Sequence, residues 1–560
     1  MQSSTEGHPK SLVDPESIMQ LLQKLTRKTV SRDRLVPILS ILVFAAYPGE
    51  SWAADNATGQ TSAEPGVSVI GIPQKAPAGE LPARLKAPET SPPSSGPPSS
   101  TAVPQASANQ TASRAHSVAA KPVEVVPNPS AIPMSEPSPI PSSPPPLTWL
   151  GVTLYGVVDV GLAHLSHGAP ASNTYGPGLP YIVQSFSRDS MTSIANNGLS
   201  QSKIGLSGVE PLGAADLKGV FKIETGFQPT TGRLTDGPRS LVDNNGRTNV
   251  DKVTGGDSSR AGQPFQGAAF AGISSAMVGT LTFGRQNSLM ADDLMKYDPQ
   301  LQSQAFSPIG YSGAAGGLGD TEDKTLDDSL KYTVGYGPLH VAGLYQFSSR
   351  GSLPGGSESL DVGLDDAGFS IDFLWGRVRD AISAASLTAA QNATAPGTLA
   401  ATVSDNTAYA VLVRYVIRSV KIYAGYEHMT FANPKDPLAN GTITIGGYVL
   451  STINPPAFTI HKVLQYAWIG ARYSVIPSLD LTAAYYQFRQ NSYNANGCSD
   501  SSSLSCLGHY HDASFVADYK LSLRFDLYAG VNYSRATDGM AAGFLSDHNW
   551  TSMLGLRFMF

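Results

Sequence analysis

The stretch Val152-Thr-Leu-Tyr-Gly-Val-Val-Asp-Val-Gly-Leu162 alternates between apolar and polar side chains. Successive side chains of an extended strand point to opposite faces. Val and Leu at the even-numbered positions therefore form one apolar face, whereas Thr153, Tyr155 and Asp159 lie on a polar face. The pattern predicts a strand between two very different environments.

The same alternation recurs along the chain in pairs of segments that are separated by short turns. The pairs are 203–209 with 216–227, 266–274 with 279–286, 329–335 with 338–348, 357–364 with 368–377, 403–416 with 420–431, 463–474 with 479–490, and 509–519 with 522–535. With the opening strand and a last strand at 549–560 they make sixteen strands. An even number of antiparallel strands, whose first and last members can pair, predicts an all-β, 16-stranded antiparallel transmembrane β-barrel.

The connections and the composition agree with a barrel. Turns within a pair have about two to eight residues, and links between pairs have about nine to forty, a pattern typical of bacterial outer-membrane barrels. Only 41% of the 560 residues are hydrophobic, which excludes a helical protein with many membrane spans. A soluble β-sandwich or propeller would need charge on its outer face, whereas here the charged and small residues share the face opposite Leu, Val, Phe and Tyr.

The first part of the chain differs in composition from the predicted barrel. Basic residues, the apolar run 35–47 and Ser51-Trp-Ala-Ala54 follow one another. This order predicts a signal peptide over residues 1–54 with an extended basic region, and an uncleaved anchor is the alternative. Residues 55–146 hold 20 of the 41 prolines, so we expect a disordered, Pro/Ser/Ala-rich periplasmic spacer over 55–147 before a barrel domain at 148–560.

Six segments carry a resemblance to a known family. They are the opening strand, Ser202-Lys-Ile-Gly-Leu-Ser-Gly-Val-Glu-Pro-Leu-Gly213, Leu217-Lys-Gly-Val-Phe-Lys-Ile-Glu-Thr-Gly-Phe227, Phe270-Ala-Gly-Ile-Ser-Ser275, Gly279-Thr-Leu-Thr-Phe-Gly-Arg-Gln286 and the C-terminal Gly555-Leu-Arg-Phe-Met-Phe560. In this order they resemble strands of the Gram-negative trimeric general porin family, especially its β-proteobacterial branch. The resemblance covers about 413 residues from Thr148 onward and leaves out the long spacer.

The resemblance implies a water-filled outer-membrane channel for passive diffusion of small hydrophilic solutes and ions, narrowed by a third long loop that folds inward. It also implies a homotrimer in contact with outer-membrane lipid and lipopolysaccharide. An exposed last strand that ends on Phe560 suits recognition by the barrel-insertion machinery. Two alternatives stay open: a substrate-specific channel, and a structural barrel tethered to peptidoglycan through residues 55–147.

Charged residues suggest how such a channel would select solutes. The third long connection, 287–328, is rich in acidic residues, while several strands carry bases on their polar faces. Acid on the loop and base on the barrel wall would produce an electric field across the channel, and charges that line a pore select among ions. The predicted constriction and lumen residues are Lys218, Lys222, Glu224, Arg285, Asp292, Asp293, Asp298, Lys331, Arg414, Arg472 and Arg489.

The sequence offers little support for other kinds of site. The six histidines from His340 onward are scattered, and neither a Gly-x-Ser-x-Gly elbow nor a phosphate-binding loop is present, so we expect no enzyme and no cofactor. The net charge of -6 gives no reason to expect nucleic acid as a partner. Cys498 and Cys506 share one loop and predict a disulfide in an oxidising compartment. His509 and His511 follow closely, but their pattern is too weak to predict a metal site.

Overall fold

The computed structural model describes most of the predicted barrel. The described residues are 146–167, 189–213, 216–235, 239–248, 251, 264–311, 324–347, 356–435, 439–441, 444–445, 448–454, 458–493, 503, 505–542 and 544–560. The predicted signal peptide and all but the last two residues of the predicted spacer lie outside this set. Those two assignments therefore stay predictions.

Strands make up most of the described chain. They are β1 (Leu147–Trp149), β2 (Val152–Leu165), β3 (Met191–Asn196), β4 (Lys203–Pro211), β5 (Lys218–Gly226), β6 (Ala268–Ser275), β7 (Gly279–Asn287), β8 (Thr325–Tyr336), β9 (Leu339–Gln346), β10 (Ser357–Asp366), β11 (Phe369–Ala385), β12 (Leu399–Ile417), β13 (Val420–Ala432), β14 (Thr444–Ile445), β15 (Tyr448–Asn454), β16 (Lys462–Ile476), β17 (Leu479–Gln490), β18 (Gly508–Lys520), β19 (Phe525–Asp538) and β20 (His548–Met559).

Helices are few and short in the described part of the chain. They are α1 (Arg239–Asp243), α2 (Leu289–Tyr297) and α3 (Ala389–Thr394), with 3-10 turns at Pro308–Tyr311 and Gly539–Ala541. Among the described residues, no helix is both long and apolar enough to cross a membrane.

Sixteen of the strands form one closed antiparallel barrel. Each of the seven predicted hairpins is present, from β4 with β5 to β18 with β19. Neighbouring hairpins pair in chain order, with β13 joined directly to β16. The barrel closes because β2 pairs with β4 on one side and with β20 on the other. The predicted fold class is confirmed.

The two faces of the barrel have the predicted chemistry. On β2, Leu162 on the apolar face is 53% exposed, whereas Asp159 on the polar face is completely buried. The outer face carries exposed aromatic and aliphatic side chains on strand after strand, among them Phe221, Phe373 and Tyr485. Such an outer surface is what a barrel with lipid around it requires.

Four short strands were missed by the sequence pattern. β1 forms a small hairpin with β2, and β14 pairs with β15 in a long loop. β15 also runs parallel to the start of β12. β3 pairs with the end of β2 while β4 pairs with its beginning. These segments are too short for an alternation of side chains to be recognised.

A buried carboxylate holds the chain between β3 and β4. Asp159 accepts hydrogen bonds from the backbone N–H groups of Gly198 (3.2 Å), Leu199 (2.9 Å) and Ser200 (2.8 Å). The Tyr528 hydroxyl on β19 donates to the same carboxylate at 2.6 Å. Because β20 lies between β2 and β19, this hydrogen bond spans the seam where the barrel closes.

We expect Asp159→Ala to lower the free energy of unfolding by about 3 kcal/mol, because it leaves two buried N–H groups and the half-buried Ser200 N–H without an acceptor. Tyr528→Phe should cost about 1–2 kcal/mol, since it removes one hydrogen bond to a charged group. Urea titration of the folded barrel in detergent, followed by its heat-modifiable gel mobility, measures both effects. Asp366, which is exposed at the end of β10, provides the control, and an Asp159→Ala variant as stable as Asp366→Ala would contradict this role.

Candidate functional site

The segment that follows β7 lies against the inner face of the barrel. Ser288 caps helix α2, because its hydroxyl accepts a hydrogen bond from the Ala291 N–H at 3.2 Å. The buried face of α2 carries Leu289, Met290, Leu294 and Tyr297. These side chains belong to one apolar cluster with inner-face residues of the strands, including Leu374, Leu412, Met429 and Trp468. An amphipathic helix thus covers an apolar part of the inner wall, where the alternation along the strands predicts a polar surface.

Asp298 fixes the chain just after α2. Its carboxylate is completely buried and accepts hydrogen bonds from the Tyr486 hydroxyl at 2.5 Å and from the Gln302 N–H at 2.7 Å. Burial raises the pKa of Asp298, and the hydrogen bond from Tyr486 opposes that shift. On β16, which is adjacent to the strand of Tyr486, the Trp468 indole N–H donates a hydrogen bond to the Tyr297 carbonyl at 3.1 Å. Predicted as a pore-lining acid, Asp298 is an internal anchor in the structure.

The same segment continues along the inner face to the strands beside the barrel seam. Gln300 donates a hydrogen bond to the Ser514 hydroxyl of β18 at 2.9 Å. The Phe306 ring packs directly against Gly530 of β19, since a Cβ atom added to Gly530 would lie only 2.6 Å from that ring. The Ser303 hydroxyl then donates to the carbonyl of Gly198, between β3 and β4, at 2.8 Å. Residues 288–306 therefore contact inner-face groups from β9 round to the barrel seam.

Two predicted wall bases form ion pairs with acids, one on helix α2 and one at the start of β8. Lys331 lies 2.7 Å from Asp292, and the nearly buried Arg285 lies 2.6 Å from Asp327. Arg285 also donates to the Gln266 carbonyl at 2.7 Å. These pairs neutralise charge locally, so the acids and bases are interleaved on one side of the wall.

Asp293 points from α2 toward further acids. Burial raises the pKa of its carboxyl well above the ordinary value, and Asp361 and Asp372 on the facing strands add to this shift. Within the described residues, no hydrogen-bond donor reaches its buried Oδ2 atom. Asp293 therefore belongs to an acidic contact between the loop and the wall.

A lysine pair surrounds Glu224 on the inner face of β5 and β4. The Glu224 carboxylate lies 3.1 Å from Lys203 and 3.4 Å from Lys222, and it accepts a hydrogen bond from the Tyr155 hydroxyl at 3.0 Å. Both lysine side chains keep about a third of their surface exposed. Lys218 lies on the same face of β5 by its position in the alternation. The predicted inward direction of Lys218, Lys222 and Glu224 agrees with the structure.

The remaining predicted bases divide between the two faces. Arg414 donates to the Ser370 hydroxyl at 3.2 Å, and Arg472 lies 3.0 Å from Asp480, both on the inner face. Arg489 differs from its predicted position, because on β17 the buried side chains are the even-numbered ones. It lies on the outer face in line with Tyr485. Near a rim, beyond the apolar band, polar residues occur on both faces, so the polarity of Arg489 did not identify its side.

Several inner-face charges were missed by the sequence argument. Arg557 lies 2.6 Å from Asp526 and 3.1 Å from Asp518. Other unpredicted inner-face groups are Lys203, Lys296, His340, Asp361, Asp365, Asp372, Asp480 and Lys520. The alternation that places Arg472 inward places those of them that lie on strands inward as well, so their direction, though not their pairing, is predictable from the sequence.

The predicted terminal and loop features are only partly within the described residues. Phe560 makes backbone hydrogen bonds in both directions with Gly156 of β2, at 2.9 and 3.1 Å, and its ring lies 5.7 Å from that of Phe558. Cys506 is buried and disulfide-bonded. Cys498 lies outside the described residues, so the pairing of the two cysteines stays a prediction.

A family model described as Gram-negative porin matches residues 119–539. The chain belongs to the Gram-negative porin family. It is therefore a porin of the bacterial outer membrane, which forms a channel for the passive diffusion of small hydrophilic solutes and ions. The family is one of channels, and the predicted absence of an enzymatic role agrees with it.

Solved structures with similar folds include several outer-membrane proteins. The anion-selective porin from Comamonas acidovorans is 15% identical with a TM-score of 0.48, over 73% of this porin and 99% of that chain. Outer-membrane expressed OmpT of Vibrio cholerae is 15% identical with a TM-score of 0.46, over 74% and 100% of the two chains. The channel DcaP of Acinetobacter baumannii is 13% identical with a TM-score of 0.43, over 73% and 97%. A comparison with curated proteins returned no match.

We expect Asp298→Ala to release the segment 288–306 from the inner face, because the Tyr486 hydroxyl and two buried backbone N–H groups lose their acceptor. Limited proteolysis of the detergent-solubilised porin, with the cleavage sites read by mass spectrometry, should find new cuts within 288–306. Asp366→Ala, at the exposed end of β10, is the control and should leave the wild-type pattern. An Asp298→Ala variant that resists cleavage in this segment as well as the control would contradict the anchor.

Proposed function

We propose that the third long loop narrows this porin's diffusion channel and that the charges beside it set the ion preference. The observation that supports the narrowing is the anchoring of residues 288–306 through Asp298 and Tyr486 to inner-face groups. A segment held there occupies part of the cross-section through which a solute must pass. Since pore width limits solute size, this loop would set the size limit.

We assign the charges of this constriction to two sides of the channel. Lys203, Lys222 and Glu224 lie on β4 and β5, while the loop contributes Asp292 and Asp293. Two lysines share one glutamate, so their partly exposed ammonium groups leave a net positive charge toward passing solutes. We propose that a polar solute aligns its dipole between this basic side and the acidic loop while it diffuses.

The assembly and its surroundings are part of the proposal. We propose that three copies form a homotrimer, as in the trimeric general porins that the sequence resembles, with lipid and lipopolysaccharide against the remaining apolar outer face. The terminal Phe558 and Phe560 would be read by the barrel-insertion machinery, because they lie on the outer face of the last strand. Residues 55–147 would reach toward peptidoglycan.

Single-channel conductance in planar bilayers tests the narrowing. We expect Asp298→Ala combined with Tyr486→Phe to give a larger and noisier unit conductance, because the loop is no longer held to the wall. Swelling of vesicles that contain the variant should also admit larger sugars than wild-type vesicles do. Unchanged conductance and an unchanged size limit, in a variant whose loop has become open to protease, would contradict the proposed constriction.

The zero-current potential in a salt gradient tests the charge assignment. Replacing Lys203 and Lys222 with Gln should shift the preference toward cations, and Glu224→Gln should shift it toward anions. Each charge should change the permeability ratio by about twofold to threefold, since a unit charge about 6 Å away in water is worth about 0.7 kcal/mol. Arg489→Gln on the outer face is the matched control and should cause no shift, and an equal shift in this control would contradict the assignment.

A further inference from the structure

A row of three inner-face positions crosses β9, β10 and β11 beside helix α2. Gly363 is in register with His340 on one side and with Asp372 on the other. The His340 Nε2 atom and the Asp372 Oδ1 atom are 2.6 Å apart. A Cβ at position 363 would lie 1.5 Å from that oxygen and 2.2 Å from that nitrogen. Glycine thus leaves a cradle above the sheet that any other residue would fill.

Asp361 brings a second carboxylate to the cradle from the same face of β10. Its Oδ2 atom lies 3.9 Å from His340 Nε2, and the residue is only 4% exposed. Among the described residues, no hydrogen-bond donor reaches its Oδ1 atom. A buried carboxylate oxygen without a donor is costly unless a cation or a proton compensates it.

The other nitrogen of the same imidazole has its own acidic neighbour. His340 Nδ1 lies 3.4 Å from Asp365 Oδ2. Metal-bound histidines commonly donate their second N–H to a carboxylate, which fixes the tautomer and the ring orientation. The ring is therefore oriented with Nε2 toward the cradle and Nδ1 toward an orienting acid.

We propose that His340, Asp361 and Asp372 form a binding site for a divalent transition-metal cation, with Zn²⁺ as the probe. One donor atom from each of the three residues lies within 4.8 Å of the others. The distances from His340 Nε2 to Asp372 and Asp361, 2.6 and 3.9 Å, lie on either side of the roughly 3.3–3.5 Å that separates two ligand atoms of a tetrahedral ion, so small side-chain rotations would bring the three donors onto one ion. Mixed imidazole and carboxylate donors suit Zn²⁺, whereas Ca²⁺ and Mg²⁺ prefer oxygen alone. The His340 side chain is 28% exposed, so an ion can enter from the channel side.

Helix α2 supplies the charges that compete with such an ion. Lys296 lies 3.0 Å from Asp365 and 3.1 Å from Asp372, while Asp293 of the same helix interacts with Asp361 and Asp372. The ammonium group of Lys296 and the imidazole of His340 are thus surrounded by four carboxylates. These belong to Asp293, Asp361, Asp365 and Asp372. The ammonium group and a metal ion would share the charge of Asp372, so removing the ammonium should strengthen metal binding.

Isothermal titration of the folded, metal-free porin in detergent with Zn²⁺ tests the site. The wild-type chain should take up one tightly bound ion, and His340→Ala and Asp361→Asn should each weaken its binding at least about tenfold. Gly363→Ala retains every donor but fills the cradle, so it should weaken binding as well. Lys296→Met should bind Zn²⁺ more tightly than the wild type.

His428→Ala removes a histidine from the outer face of β13 and is the matched control, and heat-modifiable gel mobility confirms that each variant is folded. Loss of the tight site in this control, or wild-type affinity in both His340→Ala and Asp361→Asn, would overturn the proposal. Unchanged affinity in folded Gly363→Ala would overturn it equally, because the cradle would then play no part. The titration does not depend on the size or ion preference of the channel, so its outcome is separate from that of the conductance experiments.

Discussion

The backbone of a sheet within a lipid bilayer has no water to satisfy its edges, so every strand must find a partner on both sides. In this porin β2 is the strand that closes the barrel. One edge of β2 pairs with β20 along the seam, and its other edge pairs with β4 near its beginning and with β3 near its end. The interruption between β3 and β4 exposes three backbone N–H groups inside the barrel, and Asp159 accepts all three. Tyr528 donates to the same carboxylate, so the group that repairs the break also joins the strands on either side of the seam.

Closure creates an interior that has to be either hydrated or filled. The inner wall beside α2 is apolar, with Leu374, Leu412 and Trp468 among its side chains, and water there would be unfavourable. The buried face of α2 covers that part, and Asp298 fixes the chain that follows. The loop and the wall are thus complementary in chemistry, and the interior is divided between an apolar, packed side and a charged side.

Charge inside the barrel is mostly arranged in neighbouring pairs. Arg285 with Asp327, Lys331 with Asp292, and Arg557 with Asp526 each lie within 2.7 Å. Pairing of this kind reduces the cost of placing charge at a partly buried surface. The channel's field therefore arises from the groups left incompletely compensated, chiefly the lysines around Glu224 and the acids between α2 and β9–β11, where Lys296 and His340 face four carboxylates.

The alternation of side chains by itself determined the sixteen strands, their hairpins and the side on which most charges lie. It succeeds because every strand has lipid on one face and the barrel interior on the other. The pattern within Val152–Leu162 therefore applies equally to residues hundreds of positions away. Which side chains lie next to one another across the strands was decided only by the tertiary structure. Asp298 reads in the sequence as one more loop acid, yet it is buried against Tyr486, and Arg489 reads as a lumen base, yet it lies outside. The meeting of His340, Gly363 and Asp372 depends on the register of three strands, which hydrogen bonding across the sheet fixes and which no local spacing along the chain records.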